Sequence, residues 1–249
     1  MNEKMNIDVQ IQRGDTENES RIETYNVDVD KKMVVLDALH EIQAFQVPDL
    51  AVRWNCKAGK CGSCSAEVNG KPRLMCMSKL TDYDLSEPLV IKPMKSFPLI
   101  KDLVTDVKWN YEVNKKIKPY SHPNGEEYHT MFQEEVDRVQ EFRKCIECFL
   151  CQDVCHVLRS HNRRDAFSGP RFLLRLASLE MHPLDTLDRV PEIKQDFGIG
   201  YCNITKCCTE VCPEEIPITD EAIIALKERV VDRYYDPVSM FVRKLFVRN

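Results

Sequence analysis

Twelve cysteines carry the chemistry open to this chain, and they fall into three groups. Cys56, Cys61, Cys64 and Cys76 form the first, Cys145, Cys148, Cys151 and Cys155 the second, and Cys202, Cys207, Cys208 and Cys212 the third. Thiolates pair as disulfides or act as soft, anionic metal ligands. A disulfide framework suits small exported domains, whereas this chain has 249 residues and a polar start, Met1-Asn2-Glu3-Lys4, with no apolar signal core. The expectation is a cytoplasmic bacterial or archaeal protein, where clustered cysteines bind metal.

The first group reads Cys56-Lys-Ala-Gly-Lys-Cys61-Gly-Ser-Cys64, followed by Cys76. This is the spacing of plant-type 2Fe–2S centres. Structural zinc is the competing reading, but it favours paired C-x2-C units. The loop must curl around a cluster and offer it backbone N–H groups, and Gly59 and Gly62 permit that close approach. Lys57 and Lys60 add positive charge beside the site or simply face solvent.

The second group, Cys145-Ile-Glu-Cys148-Phe-Leu-Cys151-Gln-Asp-Val-Cys155, has the bacterial ferredoxin spacing, in which the fourth cysteine serves the other cluster. His156 stands where that run usually has proline, and the third group restores the proline at Cys212-Pro213. The two runs thus read as partners that exchange their last cysteine. Cys145, Cys148, Cys151 and Cys212 make a 4Fe–4S set. The same spacing read back from Cys212 reaches Cys208, Thr205 and Cys202. A hydroxyl is a poor iron ligand here, so Cys155, Cys202 and Cys208 point to a 3Fe–4S cluster. Cys207 is left over, as a spare thiol or as a substitute fourth ligand.

The elements that position these groups differ between the halves. Ile7, Val9 and Ile11 alternate with polar residues, as do Tyr25, Val27 and Val29, which predicts two half-buried strands. Val35, Leu36, Leu39 and Ile42 recur at helical spacing, and Asn69-Gly70 marks a hairpin between a strand at Ala66/Val68 and one near Leu74. Leu89-Val90-Ile91 supplies a further strand. Beyond Asp106, helical patterns run through Val136, Val139 and Phe142, through Arg171 to His182, and from Thr219-Asp220 to Val231, with an irregular connection over Lys115–Gly125. The fold class is therefore α+β. Residues 1–105 form a β-grasp 2Fe–2S domain, and residues 106–249 an all-helical, bacterial-ferredoxin-like domain for the 4Fe–4S and 3Fe–4S clusters.

With these residues in place, the chain resembles, over nearly its whole length, the iron–sulfur subunit of the succinate dehydrogenase/fumarate reductase family. Arg53-Trp54-Asn55-Cys56, Gly169-Pro170-Arg171-Phe172 and Tyr201-Cys202-Asn203-Ile204-Thr205-Lys206-Cys207-Cys208 are similar to its actinobacterial form. The resemblance implies a flavoprotein partner with covalently bound FAD that oxidises succinate. Electrons then pass singly through the three clusters to a quinone, menaquinone included, at an integral-membrane anchor. It implies a peripheral place on the cytoplasmic face of the bacterial membrane, and no residue of this chain acting as acid or base on succinate. Many family members carry tryptophans where this chain has Arg159 and Ser160, and histidine where it has Asn203. By position alone, His156, Arg159, Asn203 and Thr205 are the quinone-proximal candidates.

The net charge of −5 argues against nucleic acid as a partner, and no apolar run is long enough to cross a bilayer. His161, Arg163 and Arg164 form a basic patch, solvated or facing an acidic or lipid-side partner. Trp54 and Trp109 read as core or interface residues. Val238, Phe241, Val242, Leu245 and Phe246 make an apolar stripe beside Arg243, Lys244 and Arg248, suited to capping the helical domain or to docking on a partner near the membrane. Three other functions stay open: fumarate reduction in the reverse direction, a free multi-cluster ferredoxin, or service to a thiol-dependent fumarate reductase. The last is disfavoured because no further cysteine-rich module follows Cys212.

Overall fold

The computed structural model of the chain describes residues 4–16, 19–123 and 130–246, the last five by backbone alone. Packing divides these residues into two units, one from Met1–Trp109 with Ile146–Val154, the other from Asn110–Cys145 with Cys155–Asn249.

The first unit is built on β1 (Lys4–Arg13) and β2 (Arg21–Asp30), antiparallel partners that set Ile7 opposite Val27. The alternation in β1 buries Ile7, Val9 and Ile11 on one face, as a period of two requires. α1 (Val35–Phe45) covers that face with Val35, Leu36, Leu39 and Ile42, each worth about 2 kcal/mol relative to exposure. β3 (Ser65–Val68) and β4 (Lys71–Leu74) follow, with Asn69 and Gly70 at φ 48° and 75° between them. Those left-handed angles are what a two-residue hairpin needs. β5 (Leu89–Lys92) returns parallel to β1 and antiparallel to β3, giving the order β2-β1-β5-β3-β4 of a β-grasp sheet.

Two short strands unmarked in the sequence, β6 (Leu99–Lys101) and β7 (Val104–Thr105), complete this part. The buried Asp102 between them pairs with Arg13 at 3.0 Å and accepts the amides of Gly14 and Ala51 at 2.9 and 2.8 Å. It thereby anchors the chain that leads into the first cysteine loop.

The sequence changes character near residue 105, but packing carries the first unit on to Trp109 and adds Ile146–Val154 to it. Phe149 meets Phe97 at 6.4 Å. The Ser96 amide donates to the Asp153 carboxylate at 2.8 Å and its hydroxyl to the Asp153 carbonyl at 2.7 Å. This short piece, ending in the helix Leu150–Val154, carries Cys148 and Cys151.

The second unit is helical, with no strand among its described residues. Its centre is the helix Pro170–Glu180, which opens with proline at its first position and buries Phe172, Leu173, Leu176 and Ala177. Val139 and Phe142, from the helix Gln133–Gln140 and the 3-10 turn after it, are buried. The expected helix from Thr219 begins as a π-helix, Ile218–Ile224, and continues as Ala225–Tyr234. The irregular connection starts only after the helix Lys108–Lys116, and its Asn124 and Gly125 lie outside the described residues. Arg189, fully buried, donates to the carbonyls of Lys118 and Pro119 at 2.9 Å each and so pins that connection.

The last helix, Pro237–Phe246, leaves Val238 and Phe241 exposed, while Arg248 and the side chains of Val242, Arg243, Lys244, Leu245 and Phe246 lie outside the described residues. Among the described residues, no helix is long and apolar enough to cross a membrane.

Candidate functional site

Strand pairing assembles part of the first cysteine group. Ser65 faces Leu74 across β3 and β4, so Cys64 and Cys76 flank the same end of the hairpin. The Met75 amide donates to the Cys64 carbonyl at 3.1 Å. Cys56 and Cys61 lie in the loop between α1 and β3, where Lys57, Gly59 and Gly62 adopt φ of 54°, 67° and 70°. These left-handed residues curl the loop, and the amides of Ala58 and Lys60 both donate to Cys56 Sγ at 3.3 Å. At Gly62 a Cβ would stand 2.5 Å from Cys148 Cα, so only glycine fits.

Electrostatics differ among these thiols. Burial pushes the Cys64 thiol up to about 12, against a hydrogen bond from the Cys76 backbone. Burial also opposes ionisation of Cys61, yet hydrogen bonds from Ser63 and Cys56 bring it down to about 7. Lys57 holds its ammonium 4.9 Å from the centre of the Trp54 ring, so its charge does engage the loop. Trp54 itself is 47% exposed and is not a core residue.

In the second group, Glu147 and Phe149 take φ of 57° and 62° and wind the run from Cys145 to Cys151. Cys148 and Cys151 belong to the first unit, Cys145 and Cys155 to the second. The Ser65 hydroxyl lies 2.9 Å from the Cys148 carbonyl. Within the second unit, burial raises the Cys212 thiol, the amides of Ile216 and Glu214 oppose that shift, and the charge of Cys145 adds to it.

Cys155, Cys202, Cys207 and Cys208 line one small hollow, together with His156, Asn203, Thr205 and Thr219. Burial pushes Cys155 and Cys208 up to about 11 each. The amides of Leu158 and Val157 act against this at Cys155, as does the Thr219 hydroxyl, 3.3 Å away, at Cys208. Thr205 Oγ1 stands 3.3 Å from Cys207 Sγ. Asn203 Nδ2 meets His156 Nε2 at 2.6 Å, joining the residues that follow Cys202 and Cys155. Of the quinone-proximal candidates, His156, Asn203 and Thr205 share this lining, whereas Arg159 ends the helix His156–Arg159 outside it. In the basic patch, Arg163 pairs with Asp165 at 3.2 Å and lies over Tyr201.

The residues fit iron–sulfur clusters on two counts. Buried thiols that resist ionisation become thiolates when a cationic metal replaces their proton, and amides aimed at sulfur are the hydrogen bonds that tune such clusters. Among the described residues, no three His, Cys, Asp or Glu side chains converge on a single ion. Cluster thiolates are shared over several irons, two to each iron in a 2Fe–2S cluster and one to each ligated iron in the larger clusters. Ser65 and Thr219 carry no motif and were invisible in the sequence, since their sulfur-site contacts come from folding.

Residues 6–112 match a 2Fe–2S iron–sulfur cluster binding domain, and residues 141–216 a 4Fe–4S dicluster domain. A chain of the Mycobacterium smegmatis Sdh1 complex in the apo form is 54% identical, with a TM-score of 0.92 over 95% of this chain and 100% of that one. The fumarate reductase iron–sulfur subunit of Haemophilus influenzae is 30% identical over 85% of this chain and 88% of its own. A subunit of the fumarate reductase (CoM/CoB) of Methanothermobacter marburgensis is 30% identical over 83% of this chain, which spans only 40% of that protein's length.

Proposed function

This chain belongs to the iron–sulfur subunit family of succinate dehydrogenases and fumarate reductases, and we propose that it links FAD on a flavoprotein partner to a quinone, menaquinone included, at a membrane anchor. The bound clusters supply one-electron redox chemistry, in the order 2Fe–2S, 4Fe–4S, 3Fe–4S. Cys56, Cys61, Cys64 and Cys76 hold the first; Cys145, Cys148, Cys151 and Cys212 the second; Cys155, Cys202 and Cys208 the third. Residues 1–105 serve the first cluster and residues 106–249 the other two, although Ile146–Val154 packs with the first unit. The complex sits on the cytoplasmic face of the bacterial membrane, and this chain reaches the membrane through the anchor.

The observation that carries this reading is a repeated one. In each cysteine group a sulfur is met by two backbone amides, at Cys56, at Cys155 and at Cys212. Such donors stabilise electron density on thiolate sulfur and shift a cluster's potential upward. This chain's work is thus to fix and tune the clusters while substrate chemistry proceeds on the flavoprotein. Thr205 leaves the third set one thiolate short, which supports 3Fe–4S, and Cys207 is a neighbouring thiol rather than a ligand. His156, Arg159, Asn203 and Thr205 face the quinone end. Fumarate reduction is the alternative direction, favoured by the name of the Haemophilus relative.

Purification of the native complex tests the assignment. Co-purification with an FAD-containing subunit and a membrane protein, with succinate:quinone activity, is the expected result. A chain that emerges alone with its iron is a free ferredoxin instead.

A further inference from the structure

We propose that Ser65 is a positioning residue for electron passage between the first and second clusters, an inference that rests on the ligand assignment above. Ser65 directly follows Cys64, and its hydroxyl lies 2.9 Å from the carbonyl oxygen of Cys148 and 2.8 Å from that of Gly62. A hydroxyl has one proton to donate, so the two carbonyls share it in a three-centre bond. The bonded route from Cys64 to Cys148 is therefore the Cys64–Ser65 peptide, one short side chain and one hydrogen bond. Along the chain, Ser65 and Cys148 are 83 residues apart.

Two further contacts hold the same geometry. Gly62 brings its backbone so close that a Cβ there would lie 2.5 Å from Cys148 Cα. At the far end of the segment, Ser96 grips Asp153 through its amide and its hydroxyl. Ser65 is 7% exposed, so water does not compete for its proton. All four ligands of the first cluster and two of the second, Cys148 and Cys151, thus lie within one packed unit, and the spacing between Cys64 and Cys148 depends on these small side chains. Electron tunnelling weakens steeply with distance and with each gap between bonded atoms, so a hydroxyl that closes the gap governs this step.

The test compares the purified complex carrying Ser65→Ala or Ser65→Thr with the parent. The readouts are iron content, the EPR relaxation of the reduced 2Fe–2S signal when the 4Fe–4S cluster is also reduced, and the transfer rate between the two after rapid reduction. Ser65→Ala is expected to keep both cluster signals but weaken the relaxation enhancement and slow the transfer, and Ser65→Thr to restore both. A Ser65→Ala complex with full iron and unchanged relaxation and rate overturns the proposal. So does one that loses the 4Fe–4S signal, because the hydroxyl is then merely structural. A parent complex without 2Fe–2S and 4Fe–4S signals sinks the ligand assignment itself.

Discussion

Gly198 shows how much of the third centre depends on a single backbone angle. It has φ 63°, and a Cβ there would fall 1.8 Å from the Ala166 carbonyl oxygen. It also begins the turn Ile199–Tyr201 that delivers Cys202. Left-handed strain costs a side chain about 1–2 kcal/mol, and overpacking adds about 1–3 kcal/mol. Gly198→Ala should therefore lower the melting temperature and lose the third cluster's EPR signal before the other two. Gly200→Ala, with no atom within 4 Å of the added methyl, is the neutral control. Equal behaviour of the two variants would refute this account of the turn. At this scale the proposed ligand sets rest on spacing along the chain, which dictates a loop's reach, and Thr205 stands out as a gap in a repeat. Ser65 and Thr219 were not legible, because Ser65 meets Cys148 only after segments 83 residues apart pack, and Thr219 meets Cys208 only once the irregular turn between them folds.

Among the elements, the irregular connection around Lys118 and Pro119 is held by one guanidinium rather than by regular structure. Arg189 also pairs with Asp185 at 2.7 Å and with Glu192 at 3.3 Å, all three side chains being buried. Removing one partner of such a group leaves buried charge uncompensated, at a cost of about 3–5 kcal/mol. Arg189→Met is expected to destabilise the fold by that free energy, read as a lower thermal midpoint, and a midpoint within error of the parent would show that the staple is dispensable. Strands β1 to β5 and α1 were readable from alternation and helical spacing, since one face of each is buried. β6 and β7 escaped because two or three residues carry no period. The placement of Ile146–Val154 with the first unit escaped because it depends on Ser96 and Phe97, remote in sequence.

For the whole molecule, the exposed Val238 and Phe241 on the last helix bear on how the subunit meets its partners. Deleting residues from Pro237 onward should release the membrane anchor from the complex while iron content stays at the parental level. Loss of iron together with the anchor would make the helix a cap of the second unit instead. The family was recognisable from three cysteine runs in fixed order, because cluster ligation leaves little freedom in spacing. The proposed quinone-proximal residues were less so, since they stand beside the proposed ligands without a motif of their own. Three clusters on eleven thiolates, with Thr205 leaving the last one iron short, can be read by EPR of the native complex during a redox titration. The oxidised sample should show a 3Fe–4S signal, and reduction should bring up 2Fe–2S and 4Fe–4S signals. An oxidised sample with full iron and no 3Fe–4S signal would contradict this assignment and make Cys207 the fourth ligand.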